Sequence, residues 1–128
     1  MRKHLLATVL VSLAAAPLLG AAAASAAPAQ CFYSNDWHGW KATPDAKSIY
    51  IGVGMHRVYR IDLASACPTL RTPNAQLLTE MRGSSSICGP LDLDLSVTDG
   101  GFKTPCIVEN ITPLSAAEAS ALPKSMRP

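Results

Sequence analysis

Four cysteines, Cys31, Cys67, Cys88 and Cys106, stand in a chain of 128 residues, and all of them follow its first thirty positions. An even set spread through a short chain reads as two disulfides in an oxidising compartment, and each one limits the fold to arrangements that bring its two segments within bonding distance. Zinc binding is the competing use of four thiols. It draws ligands in close pairs such as C-x-x-C, because two ligands on one tight turn lower the entropy cost of closing the site. The gaps here, of 36, 21 and 18 positions, contain no such pair. Four cysteines allow three connectivities, among which the sequence alone does not decide. The preferred pairing joins Cys31 to Cys106 and Cys67 to Cys88, since the first and last strands of a small closed sheet often meet.

Disulfides imply export, and the amino terminus has the form of an export signal. Arg2 and Lys3 supply fixed positive charge, Leu5 to Leu19 is almost entirely Leu, Val and Ala, and small residues follow from Gly20 to Ala27. A charged start, an apolar centre and an Ala-x-Ala exit define a secretory signal peptide. Cleavage is expected after Ala26, because a cut after Ala27 would leave Pro28 as the first residue. A membrane-spanning helix needs about 20 apolar residues, and this run is interrupted by Pro17 and Gly20. Cys31 is preceded by Pro28-Ala29-Gln30 and so lacks the surroundings of a lipid-attachment cysteine. The expected organisation is a signal peptide over residues 1–26 and a single exported β domain over 27–128.

Cleavage also changes the electrostatics. The whole chain carries 11 Lys plus Arg and 9 Asp plus Glu, a formal net charge of +2. Arg2 and Lys3 account for that surplus, and the remaining 102 residues are formally neutral. With no basic run or stripe left, the footprint required for nucleic-acid or anionic-membrane binding is absent.

The exported part reads as mainly β. Ile49, Ile51, Val53 and Met55 alternate with Tyr50, Gly52 and Gly54, and Tyr59, Ile61 and Leu63 alternate with Arg60 and Asp62, so a turn over Gly54 to Arg57 predicts a hairpin. Leu77 to Met81 is a weaker strand. Leu91, Leu93, Leu95 and Val97 alternate with Asp92, Asp94, Ser96 and Thr98, as a sheet wet on one side requires, and Asp99-Gly100-Gly101 ends the run. Cys106 to Ile111 is the last expected strand. Ser115-Ala116-Ala117-Glu118 matches a capping box and predicts a short helix from Ala116 to Leu122, stopped by Pro123. The expected fold is therefore a small disulfide-stapled antiparallel sheet or compact barrel with one short C-terminal helix.

The densest group of polar and aromatic side chains is Asp36-Trp37-His38-Gly39-Trp40. If they share a surface, Trp37 and Trp40 could stack on a sugar or peptide while Asp36 and His38 supply hydrogen bonds; the alternative is that the indoles fill the core. His38 and His56 have no metal-ligand spacing, and His56 falls at a turn tip. Asp92-x-Asp94 only faintly matches a calcium loop, because Val97 stands where the loop needs glycine. Gly52-Val53-Gly54 lacks the third glycine and the following helix of a dinucleotide loop and marks a place where strands approach closely or bend. Asn110-Ile111-Thr112 is formally a glycosylation sequon, with Pro113 after it. No catalytic, cofactor or metal residue is assigned.

The order of motifs carries a resemblance. Cys31-Phe32 precedes Trp37 and Trp40, Val58-Tyr59-Arg60-Ile61-Asp62-Leu63 runs into Cys67-Pro68-x-Leu70, and Ile87-Cys88-Gly89-Pro90-Leu91-Asp92, Pro105-Cys106-Ile107 and Ala121-Leu122-Pro123-Lys124 follow. This series resembles a family of small exported proteobacterial proteins catalogued as a domain of unknown function. The resemblance implies a periplasmic or secreted protein and brings no site residues with it. The function expected is a non-catalytic binding or interaction module, its partner a periplasmic protein or a cell-envelope glycan. The first alternative is an inhibitor of a hydrolase of lysozyme or protease type, acting through the loop Gly83 to Ser86. The second is a cell-envelope enzyme using Asp36 and His38.

Overall fold

Alternating burial organises the described part of the chain, residues 30–128 of a computed structural model. The expected signal peptide lies outside the described residues. The strands are β1 (Phe32–Tyr33), β2 (Trp37–Ala42), β3 (Ser48–Val53), β4 (Arg57–Leu63), β5 (Gln76–Met81), β6 (Ser86–Ile87), β7 (Leu93–Asp99), β8 (Phe102–Pro105) and β9 (Val108–Pro113), followed by the helix α1 (Ala116–Ala121). They form a four-stranded sheet in the order β2-β3-β4-β9, a three-stranded sheet in the order β5-β7-β8, and a ribbon of β1 and β6. All pairings are antiparallel. The sheets are open and do not close into a barrel.

The expected hairpin is β3 and β4, with Ile49 opposite Ile61 and Ile51 opposite Tyr59. These four side chains are at most 1% exposed. They join Leu93, Leu95 and Val97 of β7 and Phe32 and Ile87 of the ribbon in one core. Fully burying an aliphatic side chain of this size contributes roughly 1.5–3 kcal/mol, so the shared core holds the separate sheets against one another. Met55 does not continue the buried row: β3 stops at Val53, Gly54 adopts φ +61°, and Met55 is exposed on the turn.

Two further boundaries differ from the sequence pattern, each because local hydrogen bonding overrides periodicity. The strand expected from Leu91 begins at Leu93, because Pro90–Asp92 forms a 3-10 turn in which one Asp92 carboxylate oxygen accepts from the Cys88 and Gly89 N–H groups, both at 2.9 Å. Leu91 is thereby turned out to solvent. The last expected strand, Cys106 to Ile111, begins at Val108, and an unexpected strand, β8, precedes it, the two separated by a corner at Cys106 and Ile107. The Cys106 N–H donates to Leu95 in the three-stranded sheet, while the Ile107 carbonyl accepts from Ala64 beside the four-stranded sheet, each at 2.9 Å. One residue pair thus carries the chain between sheets. The helix follows its capping box: Glu118 N–H donates to Ser115 Oγ, and Ser115 N–H donates back to Glu118 at 2.7 Å.

The disulfides are Cys31–Cys88 and Cys67–Cys106, not the preferred pairing. The last strand, β9, pairs with β4, while β1 pairs with β6, so the first and fourth cysteines never meet. Phe32 lies opposite Ile87, and the same register continued by one residue sets Cys31 against Cys88. Cys67 and Cys106 are both buried, at the two places where the chain passes between the large sheets. Their sequence separations, 57 and 39, overlap, so the two covalent loops interlock. In a chain-entropy estimate each contributes about 4 kcal/mol to stability. Replacing Cys67 and Cys106 together by alanine should therefore lower the free energy of unfolding by about 4 kcal/mol in urea titration. Non-reducing peptide mapping should recover a 67–106 linkage, and a 31–106 linkage would contradict this topology.

Candidate binding site

Within β2 the expected aromatic cluster is divided by a β-bulge. Trp37 lies opposite Val53, His38 opposite Gly52 and Trp40 opposite Ile51, with Gly39 inserted at φ +60°. In a regular strand, residues three apart point to opposite faces. The extra residue reverses that for Trp40 and puts both indoles on the core side. Both are half-buried against the core, Trp37 meeting Phe32 edge-on at 6.4 Å between ring centroids.

His38 faces the other way and is exposed. Its Nε2 donates to the Gly54 carbonyl at 2.5 Å, and its ring lies over Gly52, where a Cβ would come within 2.5 Å of the His38 ring and 2.7 Å of its carbonyl oxygen. The close approach read from Gly52-Val53-Gly54 is thus an imidazole seated on a strand. Asp36 ends the 3-10 turn Ser34–Asp36 ahead of β2, and its backbone carbonyl accepts from Gly54 at 2.8 Å. The four residues accordingly do not converge on one surface: Trp37 and Trp40 face the core side, His38 faces away from it, and Asp36 precedes the strand.

Trp40 nevertheless borders a recess of about 460 Å³, formed with Leu70, Pro44, Pro73 and Ala75. Lys41 and Arg71 also line it, and no acidic residue does. The C-terminal tail supplies another wall. Met126 lines the same recess, and the Pro128 main chain packs against Gly39. Arg127 anchors the tail by donating to the Leu122 and Ser120 carbonyls at 3.0 and 2.9 Å, groups left without intrahelical partners at the end of α1.

A second recess, of about 490 Å³, lies over the three-stranded sheet. Leu91 and Ile107, 80% and 66% exposed, border it beside Glu80, Arg82, Asp94 and Lys103. These charges are matched internally. Arg82 makes a two-pronged ion pair with Asp94, and Lys103 meets Glu80 at 2.8 Å. The guanidinium beside Asp94 holds its carboxyl below the usual carboxylate range. Asp92 and Asp94, the pair with a faint calcium spacing, are thus engaged by backbone N–H groups and by Arg82. This recess was not foreseen; its signal was the opposite charge of Asp94 in β7 and Arg82 just past the end of β5.

Among the described residues, no group of three or more His, Cys, Asp or Glu is placed to hold a metal ion. His56 lies exposed on the turn between β3 and β4, and Asn110 is exposed on the edge strand β9, its side-chain amide donating to Thr112 at 3.3 Å. The loop Gly83 to Ser86 is partly fixed, because Ser34 N–H donates to the Ser85 carbonyl at 2.9 Å and the Cys31–Cys88 bridge follows it closely.

Fold and covalent linkage together define a small antiparallel β protein stapled by two interlocked disulfides. The model of a family described as Family of unknown function (DUF6491) matches residues 1–128, and the chain belongs to that family. No curated protein and no solved structure matches it.

Gly52→Ala should destabilise the protein by about 1–3 kcal/mol, as overpacking does, and His38→Ala in the same chain should restore part of the loss. Equal stability of Gly52→Ala and the parent in urea would contradict the contact. The charge pairs set an acid dependence. Asp94 is lowered by Arg82, and Glu118 by the Ser115 N–H and hydroxyl. A carboxyl lowered on folding contributes stability that is fully present above its unfolded value, about 4, and lost as pH falls through its folded value. Asp94→Asn should therefore flatten the decline of the urea midpoint between about pH 4 and pH 2.

Proposed function

We propose that the chain is exported, loses residues 1–26, and works in the periplasm or outside the cell as a non-catalytic binding module. The observation that carries this reading is the recess beside Trp40, which is already walled by the sheet, the Leu70 turn and the anchored tail. Binding sites for small ligands are largely pre-formed concave surfaces with a few polar groups among apolar ones. Export is supported by the two disulfides and by the form of the first 26 residues. Among the described residues, no helix is long and apolar enough to cross a membrane.

A second reading, inhibition of a hydrolase, draws on the loop Gly83 to Ser86. Inhibitors of this type change shape little on binding, and the hydrogen bond from Ser34 to Ser85 restrains the loop in advance. Replacing Ser84 and Ser85 together would test it against a panel of lysozymes and proteases.

Two measurements test the main reading. Osmotic-shock fractionation should release a form whose mass begins at Ala27 and whose cysteines resist maleimide without reductant; retention of the leader on a cytoplasmic, thiol-reactive protein would refute export. Affinity capture from envelope extract should recover a ligand or partner with the parent and Trp37→Ala proteins and lose it with Trp40→Ala. Equal recovery by all three would remove the aromatic recess from the function.

A further inference from the structure

We infer that the recess beside Trp40 is a site for an acidic carbohydrate, a pyranose bearing a carboxylate. The inference rests on the binding-module reading and specifies its ligand.

Charge separates the two recesses. Over the three-stranded sheet, both cations are matched, Arg82 by Asp94 and Lys103 by Glu80. Beside Trp40, Arg71 lines a recess bordered by no Asp or Glu, and among the described residues it is in no ion pair. The formal charge of the exported part is zero, so this local excess of positive charge is set by placement and not by composition. An anion entering here meets the Arg71 guanidinium, which no carboxylate engages. A guanidinium binds a carboxylate through two parallel hydrogen bonds.

The remaining walls select for a ring. Trp40, Leu70 and Met126 present an indole, a branched aliphatic side chain and a thioether. An indole face is a broad apolar surface, suited to the C–H face of a pyranose. The recess opens to solvent, and its volume of about 460 Å³ lies within the range of small-ligand sites, about 300–1,000 Å³. A sugar tolerates an open site because its outward hydroxyls stay hydrated, whereas a wholly apolar ring gains most from enclosure. The walls are also held in place. The Thr72 hydroxyl donates to the Thr69 carbonyl at 2.9 Å in the turn that carries Arg71, and the Met126 N–H donates to Pro123 at 2.8 Å within the anchored tail. Ordering costs on binding are correspondingly small.

The test is titration of the purified protein with trigalacturonate and, separately, with the neutral maltotriose, following the heat of binding by isothermal titration calorimetry. Saturable binding of the acidic trisaccharide is expected, with at least tenfold weaker binding of the neutral one. Arg71→Gln, an exposed change outside the core, should weaken the acidic ligand at least fivefold while leaving the urea midpoint unchanged, and Trp40→Ala should abolish binding. The inference is overturned by no saturation, by equal affinity for both sugars, by an unchanged affinity of Arg71→Gln, or by displacement with equimolar inorganic phosphate. Specific capture of a protein partner without any response to trigalacturonate would overturn the sugar and leave the binding module standing; loss of both would overturn both.

Discussion

The chain crosses between its two large sheets twice, once through Cys67 on leaving β4 and once through Cys106 on leaving β8, and a disulfide ties the two crossings together. Most other features of the molecule depend on this junction. It fixes where β9 returns to pair with β4, so that Ile61 and Ile111 stand opposite one another. It also keeps Leu93, Leu95 and Val97 facing Ile49, Ile51 and Val53 across the shared core. A domain of about 100 residues has a stability margin of only about 5–15 kcal/mol. Two bridges contributing about 4 kcal/mol each are therefore a large part of what keeps two open sheets packed.

The second bridge works on the entry to the fold. Cys31–Cys88 closes the ribbon of β1 and β6, which holds Phe32 in the core against Tyr59, with ring centroids 4.7 Å apart, and sets Trp37 edge-on to Phe32. From there, the bulge at Gly39 turns Trp40 to the side where Leu70 and the C-terminal tail meet it. The candidate binding recess is thus assembled from three distant stretches of sequence, Trp40 to Pro44, Leu70 to Ala75 and Met126. Each wall is positioned by a backbone device: a bulge, a turn, a 3-10 turn and a tail pinned by Arg127.

Much of the fold was legible because a sheet buried on one face alternates its residues. The β3–β4 hairpin, the core side of β7 and the capping box of α1 all follow from patterns within a few residues. The misplaced boundaries share one cause. Beside Leu91 the Asp92 carboxylate captures backbone N–H groups, and at Cys106 and Ile107 a corner stands where the last strand reads as beginning. In both places a hydrogen bond sets the strand boundary, and hydrophobic spacing carries no record of it. The division of the Asp36 to Trp40 cluster between two faces depends on one inserted glycine in the pairing of β2 with β3.

The sequence by itself determined that residues 27–128 would be mainly β and formally neutral with their four cysteines as two bridges, because composition, alternation and cysteine parity are local or additive properties. Only the tertiary structure decided which cysteines meet, which way each indole points, and that Arg71 lines the recess beside Trp40 with no Asp or Glu on its border. Those outcomes depend on strand order and register, which are set by packing two sheets around one core and cannot be read from any single segment.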